Sequence, residues 1–281
     1  MKWLLLLPLA LSAGLLFSGP YSSDEFRFVI LGDRTGGALP NVYEEAWRQA
    51  DADRPDFAIT VGDTIQGGND VTVDAEWQEA LRALPAQHPY QIFFVPGNHD
   101  VWSTRSAKAF ERYTKHPLRY SFDYRQAHFT VLDNSRSDAL SPEDLAFLEQ
   151  DLSAHQAQPL KFVFSHRPSW ILQAVLLNPN FPLHRLAKRY GVQYVIAGHI
   201  HQMLRFDLDG VTYVSMASSG GHLRASKRYD QGWFFQHTLA TVHGTEVNFA
   251  IKELEPPFGQ ARVSELADWG PAGLSRAPGA E

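Results

Sequence analysis

Residues 97 to 100 read GNHD, one proline after the apolar run QIFFV. An amide, an imidazole and a carboxylate placed where a buried strand ends need hydrogen-bond partners, a metal or a substrate, because leaving them unpaired costs a few kcal/mol. Four other apolar runs close in the same manner: VILGDRTGG, ITVGDTIQGG, FVFSHRP and VIAGHIHQ. With FFVPGNHD they offer Asp33, Asp63, Asn98, His166, His199 and His201 as metal ligands. The chain has no cysteine, so thiolate ligands are excluded. Oxygen and imidazole donors of this kind suit Mn, Fe, Zn or Co. GHxH alone arises by accident in a chain of this composition with a probability of about one in thirty, and GNHD on the order of one in a thousand. All five at strand ends, in order, are far rarer.

The carboxyl ends of strands in an open α/β sheet line one crevice, so turns spread over ~170 residues of sequence meet in space. Short β-type runs supply those strands: residues 26–31, 57–61, 91–95, 161–165 and 192–197. Helical patterns near 40–52, 74–84, 105–114, 142–154 and 182–190 separate them, the layout of sheets covered by helices. Residues 120–124 and 128–133 read as adjacent antiparallel strands. LRFDLDGVTYVSM turns at Asp209-Gly210, a hairpin signal. Residues 234–242 and 247–254 complete a β-rich second half. No linker, repeat or low-complexity block divides the chain, and one domain over 24–255 is expected.

At 281 residues and 44% hydrophobic content the chain holds enough apolar material for a sizeable core. Its net charge is −6 with both signs interspersed, and no basic stripe marks a nucleic-acid surface. Residues 1–20 hold Lys2, an apolar stretch from Trp3 to Phe17 and then small residues, the pattern of a signal peptide. The expectation is therefore export, periplasmic or extracellular, with no stable membrane insertion after cleavage; an uncleaved N-terminal anchor is the minority alternative. The Pro, Gly and Ala content of 256–281 reads as a flexible tail. Oligomeric state is not legible.

The five turns resemble the calcineurin-like metallophosphoesterases, whose pattern is D-x-H, GD, GNH[DE], a lone His after a strand and GH-x-H. The resemblance covers roughly 26–254. It implies a four-layer α/β/β/α sandwich of two mixed sheets with a two-metal site at one edge. It also implies that Asp63 bridges the ions, that Asp33 and His201 hold the first, and that Asn98, His166 and His199 hold the second. Two divalent or trivalent ions, Mn, Fe or Zn, would clamp a phosphoryl group and activate a water. His99 then resembles the family's acid, with Asp100 as the group that orients it.

One motif departs from the pattern. In place of D-x-H stands Asp33-Arg34-Thr35, which removes an imidazole from the first metal. Purple acid phosphatases fill that place with a tyrosine three residues after the bridging aspartate, where this chain has Gln66. Arg34 and Arg167 flank ligands and are candidates to grip a phosphate, and His222 in SSGGHLR to reach the site. Trp102 and Trp170 read as packing residues. The implied activity is hydrolysis of a phosphorylated small molecule. A phosphodiesterase or nucleotide pyrophosphatase, or a non-catalytic metal-binding protein, stand as alternatives.

Overall fold

In the computed structural model the described residues are 24–86, 88–223, 229–255 and 259–269. The leader lies outside them, and among them no helix is long and apolar enough to cross a membrane. Two six-stranded sheets stack face to face. The first runs β12 (Gly259–Glu265), β11 (Glu246–Glu255), β10 (Phe235–His243), β1 (Glu25–Leu31), β2 (Phe57–Thr60) and β3 (Gln91–Phe93). The second runs β4 (Tyr120–Tyr124), β5 (Ala127–Val131), β6 (Leu160–Phe164), β7 (Tyr194–Ala197), β9 (Val211–Ser215) and β8 (Leu204–Leu208). Both are mixed: β1, β2 and β3 are parallel and β10 to β12 antiparallel, while β5, β6, β7 and β9 are parallel with antiparallel β4 and β8 outside them.

Aromatic residues dominate the layer between the sheets. Phe28 stacks on Phe57 at 5.0 Å and meets Phe129 edge-on at 5.4 Å, so one ring of the first sheet touches rings of both. Such pairs add about 0.5–1.5 kcal/mol beyond their area burial. Helices α1 (Val42–Ala52), α2 (Val73–Arg82) and α3 (Thr104–Thr114) bury Trp47, Trp77 and Phe110 against the outer face of the first sheet. Helices α4 (Pro142–Ala154), α5 (Ile171–Val175) and α6 (Pro182–Tyr190) cover the second with Leu148, Ala174 and Ala187. This is the four-layer α/β/β/α sandwich expected from the sequence. The β8–β9 hairpin turns at Asp209 and Gly210, both with positive φ, as a two-residue turn requires.

The expected tail is corrected in part. Residues 259–265 form β12, an antiparallel edge strand on β11, and Trp269 is fully buried. Trp269 packs 5.8 Å from the Phe234 ring, and its carbonyl accepts a hydrogen bond from Arg205 at 3.3 Å. An edge strand draws its pairing from backbone groups, which Gly- and Ala-rich composition does not reveal.

Candidate metal centre

All six expected ligands lie in the turns that leave the carboxyl ends of β1, β2, β3, β6 and β7. Four of them, Asp33, Asp63, His199 and His201, hold left-handed backbone at φ 51°, 56°, 72° and 61°. Each such residue costs of order 1–3 kcal/mol and persists only where its surroundings dictate it. The glycines between them permit the crowding. A Cβ on Gly97 would stand 2.3 Å from Asp63 Oδ1, and one on Gly62 would stand 2.5 Å from His166 Nδ1. Gly97→Ala should therefore cost about 1–3 kcal/mol as an overpacked site and displace Asp63. A thermal melt with metal analysis checks this, and an unchanged melt with intact metal binding would contradict it.

His166 is the hub. Its Nε2 lies 3.0 Å from Asn98 Oδ1, 3.2 Å from Asp63 Oδ1 and 3.2 Å from His199 Nδ1. Ligand atoms about 2.0–2.2 Å from a shared ion stand roughly 3–3.5 Å apart, so these spacings fit a first-row cation. Asp63 is fully buried, and its Oδ2 has no hydrogen-bond partner among the described residues. A buried carboxylate oxygen left in that condition calls for a cation. Asp33 and His201 form a neighbouring pair, with His201 Nε2 3.7 Å from Asp33 Oδ1. Asp33 also accepts the backbone N–H of His199 on both carboxylate oxygens at 3.0 Å, which ties the first strand turn to the last.

Backbone carbonyls fix the imidazole rings. His166 Nδ1–H donates to Val61 O at 2.7 Å and His201 Nδ1–H to His222 O at 2.7 Å, so both present Nε2 to the acids. His99 Nδ1–H donates to Gln66 O. Its Nε2 then faces the same space as His201, both nitrogens lying within 4 Å of where a Cβ on Gly36 would be. Asn134, beyond β5, accepts the N–H groups of His166 and Arg167 at 3.0 Å each and donates to Arg167 O at 2.7 Å. It holds the His166 turn. Sequence reasoning missed it, although HFTVLDN is a sixth apolar run ending in polar residues.

Several expected roles change. Asp100 does not orient His99: Oδ1 accepts the N–H groups of Thr64 and Ile65 at 2.8 and 3.1 Å, and Oδ2 accepts that of Gly97 at 2.9 Å. It bolts the Asp63 turn to the Asn98 turn. Burial, then the Asp63 charge, lifts its carboxyl to about 6. Arg34 turns away from the site onto Glu79 at 2.9 Å, with Thr64 O and the Tyr43 ring beside it. The His222 side chain is exposed, and its contribution is the carbonyl that aims His201. Arg167 does reach the site, 3.4 Å from His199 Nε2, while also pairing with exposed Asp138. Trp170 packs on Tyr213 and Phe206, as expected. Thr35 and Gln66, the two positions at which the sequence departs from the pattern it resembles, are hydrogen-bonded to each other.

Burial alone would lower His166, but the Asp63 charge, with Asp33 behind it, reverses this and raises the imidazole to about 9. Burial would raise Asp63, yet His166 and His99 hold it well below the ordinary carboxylate range. Without a cation the cluster thus keeps a proton on His166, which a metal bound through Nε2 would have to displace. Below about 9 the apparent metal affinity should rise ~10-fold per pH unit and level off above. Metal titrations at two pH values check this, and a flat profile would contradict it.

The profile of the calcineurin-like phosphoesterases matches residues 26–203. A comparison with curated protein sequences finds no significant match. Among solved structures, a purple acid phosphatase, PPD1, from yellow lupin (Lupinus luteus) seeds superposes with a TM-score of 0.65 at 16% identity, over 83% of this chain and 52% of that one. This chain thus spans about half the length of that protein. PhoD gives 0.61 at 12% identity over 92% and 73%. GAP50, described as the anchor in the inner membrane complex of Plasmodium, gives 0.60 at 14% identity over 91% and 90%. At such identities these likenesses speak for the fold. The family profile covers well over half of the chain, every ligand turn up to His201 included, and by it the chain belongs to the calcineurin-like phosphoesterases, hydrolases acting on phosphoester bonds.

Proposed function

We propose that the protein is exported and hydrolyses phosphate monoesters at a two-metal site in which one ion is held more tightly than the other. The observation that carries this reading is the convergence of Asp63, Asn98, His166 and His199 on one point, with Asp33 and His201 beside them. Asp63, Asn98, His166 and His199 would hold the tighter ion, and Asp33, His201 and the shared Asp63 the weaker. Bound metal supplies Lewis-acid activation of a water and neutralises phosphoryl charge. The protein's own groups do the rest. Arg167, at the mouth beside His199, binds a phosphoryl oxygen through its guanidinium. As the water oxygen bonds to phosphorus and the ester P–O bond breaks, His99 Nε2–H passes its proton to the departing oxygen, with Nδ1 anchored on Gln66. Turnover of p-nitrophenyl phosphate with Mn²⁺, in excess of that on bis-p-nitrophenyl phosphate, tests the reading; preference for the diester would overturn the monoesterase assignment.

The Thr35–Gln66 bond supports the inequality of the two ions, since it engages with each other the two side chains placed to add a donor to Asp33 and His201. Titrating Mn²⁺ into chelator-treated protein should show a tight and a weaker event. Thr35→His should narrow the gap, the ring replacing the bond to Gln66. Two equal events in the wild type, unmoved by the substitution, would contradict the three-ligand account. Export rests on the N-terminal pattern, and a mature N-terminus between about residues 14 and 24 in a fraction outside the cytoplasm is the expected result.

A further inference from the structure

Arg167 is held as a fixed fork, and a carboxylate already sits on it. Asn134 Oδ1 accepts the Arg167 backbone N–H at 3.0 Å, Asn134 Nδ2 donates to Arg167 O at 2.7 Å, and Ser135 O accepts Arg167 Nε–H at 3.3 Å. The loop between β5 and α4 thus fixes both the backbone and the guanidinium. The same loop carries Asp138, whose Oδ1 accepts a hydrogen bond from Arg167 Nη1. Nη1 is also the nitrogen that lies 3.4 Å from His199 Nε2, and so the one that faces the ligand cluster. The Asp138 carboxylate therefore takes the donor that a phosphoryl oxygen at this cluster would need.

The two partners differ in freedom. The Arg167 side chain is 21% exposed and the Asp138 side chain 89%. Residues 133–137 are tied within the loop: Asp133 Oδ1 accepts the Ser135 N–H at 3.1 Å and its hydroxyl at 2.6 Å, Asp133 Oδ2 accepts from Arg136 Nη2 at 3.0 Å, and Ser137 N–H donates to Asn134 O at 3.4 Å. None of these bonds passes through Asp138, so the loop keeps its shape when that carboxylate swings out. An ion pair this exposed adds little to stability. Its consequence is competition at the arginine: an arriving anion displaces the carboxylate at small cost, and the carboxylate returns when the anion leaves.

We propose that Asp138 is an internal competitor for Arg167, one that stands in for the phosphoryl group in the free enzyme, gives way to the phosphoester, and takes the arginine back as inorganic phosphate departs. It thereby sets how tightly the site holds substrate and product. The exchange makes and breaks no covalent bond. It runs forward because a phosphoryl group carries more charge and more acceptor oxygens than a carboxylate. The part given to Arg167 rests on the phosphoesterase reading above.

Asp138→Asn in the metal-loaded, full-length protein tests this, with inorganic phosphate as the probe in calorimetry and p-nitrophenyl phosphate in turnover. The Kd for phosphate and the KM should both fall about two- to fivefold, the worth of an exposed ion pair, with the thermal melt unmoved. In an Arg167→Ala background the same substitution should shift neither value, because its effect passes through the arginine. Unchanged phosphate binding in Asp138→Asn would overturn the competitor, and weaker binding would replace it with a carboxylate that aims Arg167. Equal tightening with and without the arginine would overturn it as well, leaving a general charge effect. Failure of the metal-loaded wild type to hydrolyse any phosphoester would instead remove the phosphoesterase reading, and phosphate calorimetry would still decide the exchange at Arg167.

Discussion

Asp63→Ala is expected to abolish phosphoester hydrolysis and to release metal from both ligand groups while the fold survives. In the proposed site Asp63 would be the carboxylate common to them: Oδ1 accepts the His99 N–H at 2.9 Å and faces His166 at 3.2 Å, and Oδ2 has no hydrogen-bond partner among the described residues. Removing an outer-shell partner of a metal ligand costs 10–100-fold in affinity, so losing this direct ligand should cost more than about 100-fold. The metal-free fold is less dependent on it. Alanine removes a buried charge that presses on Asp100, and the packing of β1, β2 and β3 does not pass through this side chain. Metal analysis and a melt on the same sample check the two halves. Retained metal, or activity lost only because the protein unfolds, would contradict the bridging role.

The second large effect is expected at His99. His99→Ala should keep its metal and lose roughly 10²–10⁴ in kcat, the range of general acid catalysis. The structure separates the ring from the ligand cluster: its Nδ1 is tied to Gln66 O, and its Nε2 faces the open side near Gly36. A proton delivered to the departing oxygen matters most when that oxygen is basic. The loss should therefore be larger on an alkyl phosphate than on p-nitrophenyl phosphate, whose phenolate leaves readily. An equal loss on both, or loss of metal, would assign the ring to binding instead.

The convergence of the candidate ligands was legible because side-chain type marks them. Asp33, Asp63, Asn98, His166, His199 and His201 each follow an apolar run, and parallel strands carry run ends to one edge. Orientation was not legible. The groups that aim His166, His201 and His99 are the carbonyls of Val61, His222 and Gln66, which any residue would supply. Asp100 and Arg34 were misread for a related reason: neighbours in a tight turn point in different directions. Asp100 folds back onto Gly97, and Arg34, beside a left-handed Asp33, points outward to Glu79. The strands and the Asp209-Gly210 hairpin followed from apolar runs and turn chemistry. β12 did not, because its pairing is backbone pairing, and the one clear sequence signal of order beyond it was Trp269.

If these ligands hold metal and the metal-loaded cluster hydrolyses phosphoesters, one titration shows both: Mn²⁺ is added to chelator-treated protein while bound metal and p-nitrophenyl phosphate turnover are read together. Turnover should be absent at the start, stay low as the tight ion binds, and rise with the weaker one. Turnover undiminished by chelation, or metal bound to saturation without hydrolysis of any phosphoester, would contradict it.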